Sequence, residues 1–232
     1  MTFRSVDIKA SQNLIIDSIE SYSRKENRLE KIFGFFSFLK ITKSSKISAH
    51  IKHRLQTKKD GLTKGFEAID APFNFAILKD NKSDYRYAYF VAFGLAGYKR
   101  ELNDEAMEKL RRIFEICPPS SLDICFDSEN MPDFEALALF GTVTRVKGSQ
   151  TRYLNAPDLY GIDRVIIYDK ALKDGFAAPL WRIEFRCPIL QKLKHYEPPI
   201  DEMERVVSAL CGSNALAKTA TNPKIAQKGG KQ

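Results

Sequence analysis

Between Leu122 and Cys187 the sequence gathers the side-chain types that handle phosphate. At period two, Arg164, Ile166, Tyr168 and Lys170 fall on one face of a candidate strand. Arg182, Glu184 and Arg186 fall on one face of the next, and Ile183, Phe185 and Cys187 on the other. A strand of that kind is half buried, and its charged face is too rich in Arg and Glu to fill a dry core. Asp123, Cys125 and Asp127 share a face of a further candidate strand, Leu122–Asp127. Carboxylates so placed can hold a divalent cation or pair with arginines on a neighbouring strand. With Asp169 and the tyrosines Tyr153, Tyr160 and Tyr168, these are the parts that phosphoryl transfer through a protein nucleophile needs: a hydroxyl, an oxygen-held ion, and cations for the charge that develops on phosphorus. A phenol titrates near 10, so metal or arginine assistance has to activate it. An ordinary solvated sheet face with cross-strand ion pairs is the competing reading.

Other chemistries lack their signatures. There is no Gly-Lys-Ser/Thr phosphate loop, dinucleotide fingerprint or serine-hydrolase elbow. Cys117, Cys125, Cys187 and Cys211 are far apart with no CxxC spacing, which favours buried free thiols over zinc or redox centres. No apolar run approaches the roughly 18 residues of a membrane span, and the N-terminus lacks a basic region followed by an apolar core, so a cytoplasmic protein without a membrane partner is expected.

The 232 residues suffice for one domain with appendages or one and a half domains, and the net charge of +8 points to a polyanionic partner. That charge is concentrated. Arg24 to Lys64 holds twelve Lys/Arg against three acids, Lys52, Arg54, Lys58 and Lys59 among them, and these four are candidate DNA contacts together with Arg164. His50 and His53, one helical turn apart in this run, read as a solvated or phosphate-facing surface in preference to a metal pair.

The elements that would position the site follow from periodicity and caps. Ser11 reads as the N-cap of a helix carrying Leu14, Ile15, Ile19 and Tyr22 and continuing to Phe33. Phe73–Leu78 and Tyr85–Phe93 read as a hairpin, whose Tyr85, Tyr87 and Tyr89 either stack bases or pack against a helix. Asn103 caps a helix stopped at Pro118-Pro119; Asp133–Phe140 is a short helix; Thr142–Val146 and Gln150–Leu154 form a hairpin; Asp201–Leu210 is a terminal helix closed by Gly212. No repeat is visible. The expected organisation is a basic helical region at 1–64, an α+β domain at 65–212 and a disordered basic tail at 213–232, the domain having a mainly antiparallel sheet with helices on one face and the site on the other.

Four short segments, in order, carry a resemblance: Leu122-Asp123-Ile124-Cys125-Phe126-Asp127, Thr151-Arg152-Tyr153-Leu154, Ile167-Tyr168-Asp169-Lys170 and Trp181-Arg182-Ile183-Glu184-Phe185-Arg186. They are similar to the arginine-leucine-aspartate strand, the Thr-x-Tyr segment, the Tyr-Asp-Lys and the Arg-x-Glu-x-Arg of the replication-initiation-factor family, which takes in initiators of rolling-circle plasmids and filamentous phages. The resemblance implies an HUH-endonuclease-like core of ferredoxin-like or RRM-like type and a site-specific DNA nickase and strand transferase. In such an enzyme a tyrosine keeps the 5′ phosphate of an origin hairpin or single strand and frees a 3′ hydroxyl, with Mg²⁺ or Mn²⁺ assisting. It implies Tyr153 as nucleophile with Tyr168 and Tyr160 as fallbacks, Tyr168 being read in preference as a packed tyrosine that donates a structural hydrogen bond; Lys170, Arg182 and Arg186 as catalytic cations; and Asp123, Asp127 and Glu184 as metal ligands. A host helicase or polymerase and a second copy of the chain are further partners such an initiator could engage. Two positions depart from the family: Asn155 stands where it has glycine, and Ser121-Leu122 where it has arginine before the first strand aspartate. The alternative reading is a noncatalytic origin- or single-strand-binding protein.

Overall fold

The structure, a computed structural model, describes residues 14–23, 26–42, 49–56, 61–80, 88–96, 102–155, 158–190 and 196–216. Backbone contacts divide the chain into two units, one built mainly from 17–122 and the other mainly from 123–188 and 197 onward. The expected boundary at residue 64 falls inside a strand, Leu62–Ala68.

In chain order the first unit holds β1 (Ile15–Ser23), α1 (Glu26–Phe33), β2 (Phe38–Lys40), α2 (Ala49–Gln56), β3 (Leu62–Ala68), β4 (Asn74–Asp80), β5 (Ala88–Phe93) and α3 (Asp104–Ile116). Next comes β6 (Pro119–Ser128), whose first residues belong to this unit. The strand order is β2-β3-β4-β5-β1-β6. The second unit holds the rest of β6, a 3₁₀ segment (Ala136–Phe140), β7 (Val143–Arg145), β8 (Arg152–Asn155), β9 (Arg164–Asp169), α4 (Lys170–Asp174), β10 (Trp181–Pro188) and α5 (Ile200–Cys211), with strand order β6-β10-β9-β8-β7. The registered pairs β1/β5, β2/β3, β3/β4, β4/β5, β7/β8, β8/β9 and β9/β10 are all antiparallel. The class is α+β with a large antiparallel sheet.

The two orders carry a repeat that the sequence hides. Each unit begins with a strand (β1 or β6), passes through a helical segment to its far edge (β2 or β7), and returns strand by strand until the last (β5 or β10) pairs with the first. A helix then follows, α3 or α5. Two insertions mask the likeness: α2 in the first unit, where the second has a tight turn around Gly148 (φ 73°), and α4 in the second.

Ile15–Ser23 is a strand and not the expected helix, and Ser11 lies outside the described residues. The segment holds three isoleucines and Tyr22, side chains that favour extended chain. Its position inside the first unit's strand order buries both faces, so the period-two signal is lost. The buried polar groups are satisfied by neighbours: Ser21 Oγ donates to Pro118 O and Ser121 Oγ to Glu20 Oε2.

The first unit has helices on both faces. Phe33 of α1 meets Phe38 and Phe66 edge-on over one face. On the other, Ile51 and Leu55 of α2 pack with Ile41, Leu78, Tyr89 and Val91. Gly65 of β3 makes this approach possible, because a Cβ there would lie 2.7 Å from Leu55 Cδ1 and 2.9 Å from Ile41 Cδ1. Gly65→Ala is expected to destabilise the protein by about 1–3 kcal/mol, read from chemical denaturation; an unchanged midpoint would mean that α2 does not sit on β3.

The expected hairpin forms as β4/β5, and Asn103 caps α3 by accepting from Ala106 N at 2.9 Å. The 133–140 helix is shortened to the 3₁₀ turn, whose entry Asp133 secures by accepting from Glu135 N and Ala136 N. The 142–154 hairpin forms as β7/β8, and α5 closes at Gly212. Cys117, Cys125 and Cys187 are buried free thiols, and Cys211 is partly exposed. Burial pushes the Cys117 and Cys211 thiols up. No helix among the described residues is long and apolar enough to cross a membrane.

Candidate functional site

Cross-strand register builds the site. Residues directly opposite one another in antiparallel strands share a face. Arg182, Glu184 and Arg186 of β10 stand opposite Tyr168, Ile166 and Arg164 of β9. Tyr153 and Asn155 of β8 stand opposite Ile166 and Arg164, and Thr144 of β7 opposite Tyr153. From β6, Asp127 reaches Arg182 and Asp123 reaches Arg186. Three rows therefore cross one face: Asp127, Arg182 and Tyr168; then Glu184, Ile166 and Tyr153; then Asp123, Arg186, Arg164 and Asn155. Successive rows are about 7 Å apart along the strands.

The opposite face is core. Ile183, Phe185 and Cys187 have no solvent exposure, and Trp181 meets Phe134 edge-on at 5.5 Å. Arg152 lies 4.7 Å over the Phe134 ring. The apolar and charged alternation read from the sequence is thus the real alternation of the sheet.

The first row is a rigid wall. Arg182 is 1% exposed, and its Nε and Nη2 donate to Asp127 Oδ1 and Oδ2, each at 2.7 Å. This fork-to-fork geometry is the strongest form of the pair and occupies both oxygens of Asp127. Tyr168 is 8% exposed and donates to Glu184 Oε2 at 3.2 Å, while Lys173 Nζ lies 4.3 Å over its ring. The tyrosine is packed and hydrogen-bonded. Its neighbours in the Tyr-Asp-Lys segment shape the chain: Asp169 Oδ1 accepts from Leu172 N to cap α4, and Lys170 pairs with Asp174 at 2.8 Å, buried to 8% exposure.

Tyr153 differs from the other two candidate tyrosines. It is half-buried, on a strand, on the charged face, and its hydroxyl has no partner among the described residues. Thr151, two residues before it, is fixed in the turn, its Oγ1 hydrogen-bonded with Ser149 Oγ at 2.9 Å and its amide donating to Ser149 Oγ at 3.0 Å. Tyr160 is 86% exposed beside Gly161, off the strands.

The three candidate metal carboxylates do not gather. Asp123 and Asp127 are four residues apart on one strand, about 13 Å at 3.3 Å per residue, too far to share an ion. Each faces an arginine instead, at 2.7 Å for Asp127 with Arg182 and 3.9 Å for Asp123 with Arg186. Among the described residues no group of three or more His, Cys, Asp or Glu could hold a metal. Asp123 contacts Arg186, and Glu184 lies two residues before Arg186 on the same face of β10. The two carboxylates can supply one or two ligands to a cation completed by water and substrate phosphate, the usual coordination of Mg²⁺.

The basic N-terminal candidates separate from this site. Arg54 is 7% exposed, stacked 4.1 Å over the Tyr89 ring and donating to the Tyr22 hydroxyl at 2.5 Å, so it is part of the α2 core contact and unavailable to DNA. Tyr89 beneath it has no exposure, which corrects the base-stacking option for that residue; burial and the adjacent Glu20 carboxylate push its phenol far up. Lys52 is half-buried and His53 exposed on α2. Lys58, Lys59, Tyr85 and Tyr87 lie outside the described residues. Of the two roles that the sequence leaves open to Asp127, cation ligand or partner of an arginine on a neighbouring strand, the fold shows the second, with Arg182. No protein-family model matches the sequence, and no curated protein matches it.

Proposed function

We infer that the protein is a rolling-circle replication initiator with an HUH-endonuclease-like second unit, nicking one DNA strand and transferring it through a phosphotyrosine. The observation that carries this reading is the placement of Tyr153, whose hydroxyl has no partner among the described residues, on the same sheet face as Glu184, Arg186 and Arg164. Two strand spacings, about 10 Å at the backbone, separate Tyr153 from Glu184, a gap that a phosphodiester can occupy.

In the reaction Tyr153 Oη forms a bond to phosphorus and the bond from phosphorus to the 3′ oxygen breaks. The phenol proton passes to solvent, and the departing 3′ oxygen takes up a proton to become the priming hydroxyl. Arg186 faces the charge that develops on the phosphoryl oxygens. A Mg²⁺ or Mn²⁺ ion, held by Asp123 and Glu184, would polarise those oxygens. Arg182 and Asp127 keep the floor flat and rigid, and Tyr168 holds Glu184 in place. Lys170, committed to Asp174, supports α4.

The test is nicking of supercoiled DNA that carries the encoding gene and its flanks, with Mn²⁺ present. Open circles should appear with wild type, and chelation should abolish them. Glu184→Gln should raise the Mn²⁺ needed for half-maximal nicking at least about tenfold; an unchanged requirement removes Glu184 from the ion site.

A second reading, a noncatalytic origin- or single-strand-binding protein, is favoured by the pairing of Asp127 and Asp123 with arginines. It predicts salt-dependent binding with no nick at any metal concentration.

A further inference from the structure

The first unit carries a cluster of lysines on the face of its sheet away from α2. Successive residues of a strand point to opposite faces. Ile41, Gly65 and Leu78 turn toward α2, so their neighbours Lys40, Lys64 and Lys79 turn the other way. Register brings the three together. Lys64 of β3 stands directly opposite Lys79 of β4, and Lys40 of β2 directly opposite Phe66, two residues after Lys64. Lys40 and Lys64 are therefore diagonal neighbours, about 7–8 Å apart at Cα. Phe66 is half-buried, met edge-on by Phe33 of α1, with Lys79 Nζ 5.7 Å from its ring centre.

None of the three ammonium groups makes a hydrogen bond or ion pair with a described residue. Lys40 is exposed, and Lys64 and Lys79 are half-buried, so solvent reaches each of them. The acids closest in sequence are placed elsewhere: Glu67 stands opposite Ala76 on the α2 face, and Asp80 lies against Gly61. Like charges directly opposite one another on a sheet are destabilising. Lys40 alone would guard the edge strand against pairing with another chain, so guarding does not account for the opposed pair Lys64 and Lys79.

We propose that Lys40, Lys64 and Lys79 hold the phosphate backbone of duplex DNA, a contact made by the first unit and not by the charged face that carries Tyr153. Lysines are point charges that bind phosphate without reading a base. A platform for single strands needs open aromatic faces, and the one ring here is half-buried against Phe33 and Lys79. The surface therefore fits a duplex, whose phosphates reach it with the bases still stacked. The choice of DNA over RNA rests on the nickase reading, whereas the phosphate contact follows from the lysines alone.

Binding, and not cleavage, tests this. Affinity for a short DNA duplex of unrelated sequence is measured at several salt concentrations without divalent metal. Lys40→Gln, Lys64→Gln and Lys79→Gln should each make the plot of log affinity against log salt less steep by about 0.9. Lys64→Arg, which keeps the charge, should keep the slope. Lys109→Gln on α3, whose lysine already pairs with Glu105 at 2.9 Å, should leave it unchanged. Without DNA and at low salt, Lys64→Gln should unfold at a denaturant midpoint no lower than wild type, because it relieves the repulsion. Unchanged slopes for Lys64→Gln and Lys79→Gln overturn the contact, as does an equal loss in Lys109→Gln. A lowered midpoint for Lys64→Gln overturns it by assigning that lysine to the fold. Slopes that fall for a single strand or an RNA duplex of the same sequence, and not for duplex DNA, overturn the choice of partner. Failure to nick with Mn²⁺ leaves the duplex slopes untouched and counts against the nickase reading alone.

Discussion

Arg182→Met is expected to lower the free energy of unfolding by about 3–5 kcal/mol, measured as a fall in the denaturant midpoint. Arg182 is among the most buried large side chains of the chain, and its two donors satisfy both oxygens of Asp127. Removing the cation strands a carboxylate that is itself mostly buried, its side chain 12% exposed. The cost is the desolvation of that unmatched charge, more than the attraction that was lost. Arg182→Met combined with Asp127→Leu should therefore recover most of the loss, because a volume-matched apolar pair is often as stable as a buried ion pair. A double variant as unstable as the single one would show that Arg182 contributes through packing.

If the proposed nickase function holds, Tyr153→Phe should reduce nicking by about 10³-fold or more, since a covalent nucleophile has no substitute in its own site. The substitution removes a hydroxyl without a partner among the described residues, so stability and DNA affinity should stay within experimental error. That separation is the informative part. Tyr168→Phe removes a hydroxyl bonded to Glu184 and should lower activity less, through the freedom given to that carboxylate. If Tyr168→Phe abolishes nicking while Tyr153→Phe does not, the roles of the two tyrosines are exchanged.

The second unit was legible in the sequence because its β9 and β10 have one face buried and one charged, which is the condition under which period two shows. Arg182, Glu184 and Arg186 could be placed on one face before any coordinates. What the pattern could not give was the choice between partners: Asp127 could hold a cation or pair with an arginine, and in the fold both its oxygens accept from Arg182. The first unit read less well. β1 is buried on both faces, so its isoleucines at Ile15, Ile16 and Ile19 mimic a helical stripe. Arg54 looked like a surface group because nothing in a basic run announces that α2 turns an arginine inward onto a tyrosine ring, whereas for Tyr89 packing against a helix was one of the two expected roles and is the one observed. The repeated strand order was invisible because the two copies share connectivity without sharing residues, and because α2 and α4 interrupt them at different places.

The most direct test of the account is the residue that becomes attached to DNA. Once the nick is mapped on supercoiled DNA, a single-stranded oligonucleotide spanning it is incubated with the protein and Mn²⁺. The complex is denatured and digested, and the nucleotide-linked peptide is sequenced by mass spectrometry. The expected result is a 5′-phosphotyrosyl adduct on Tyr153. An adduct on Tyr160 or Tyr168, or none from protein that binds the same oligonucleotide, would contradict it.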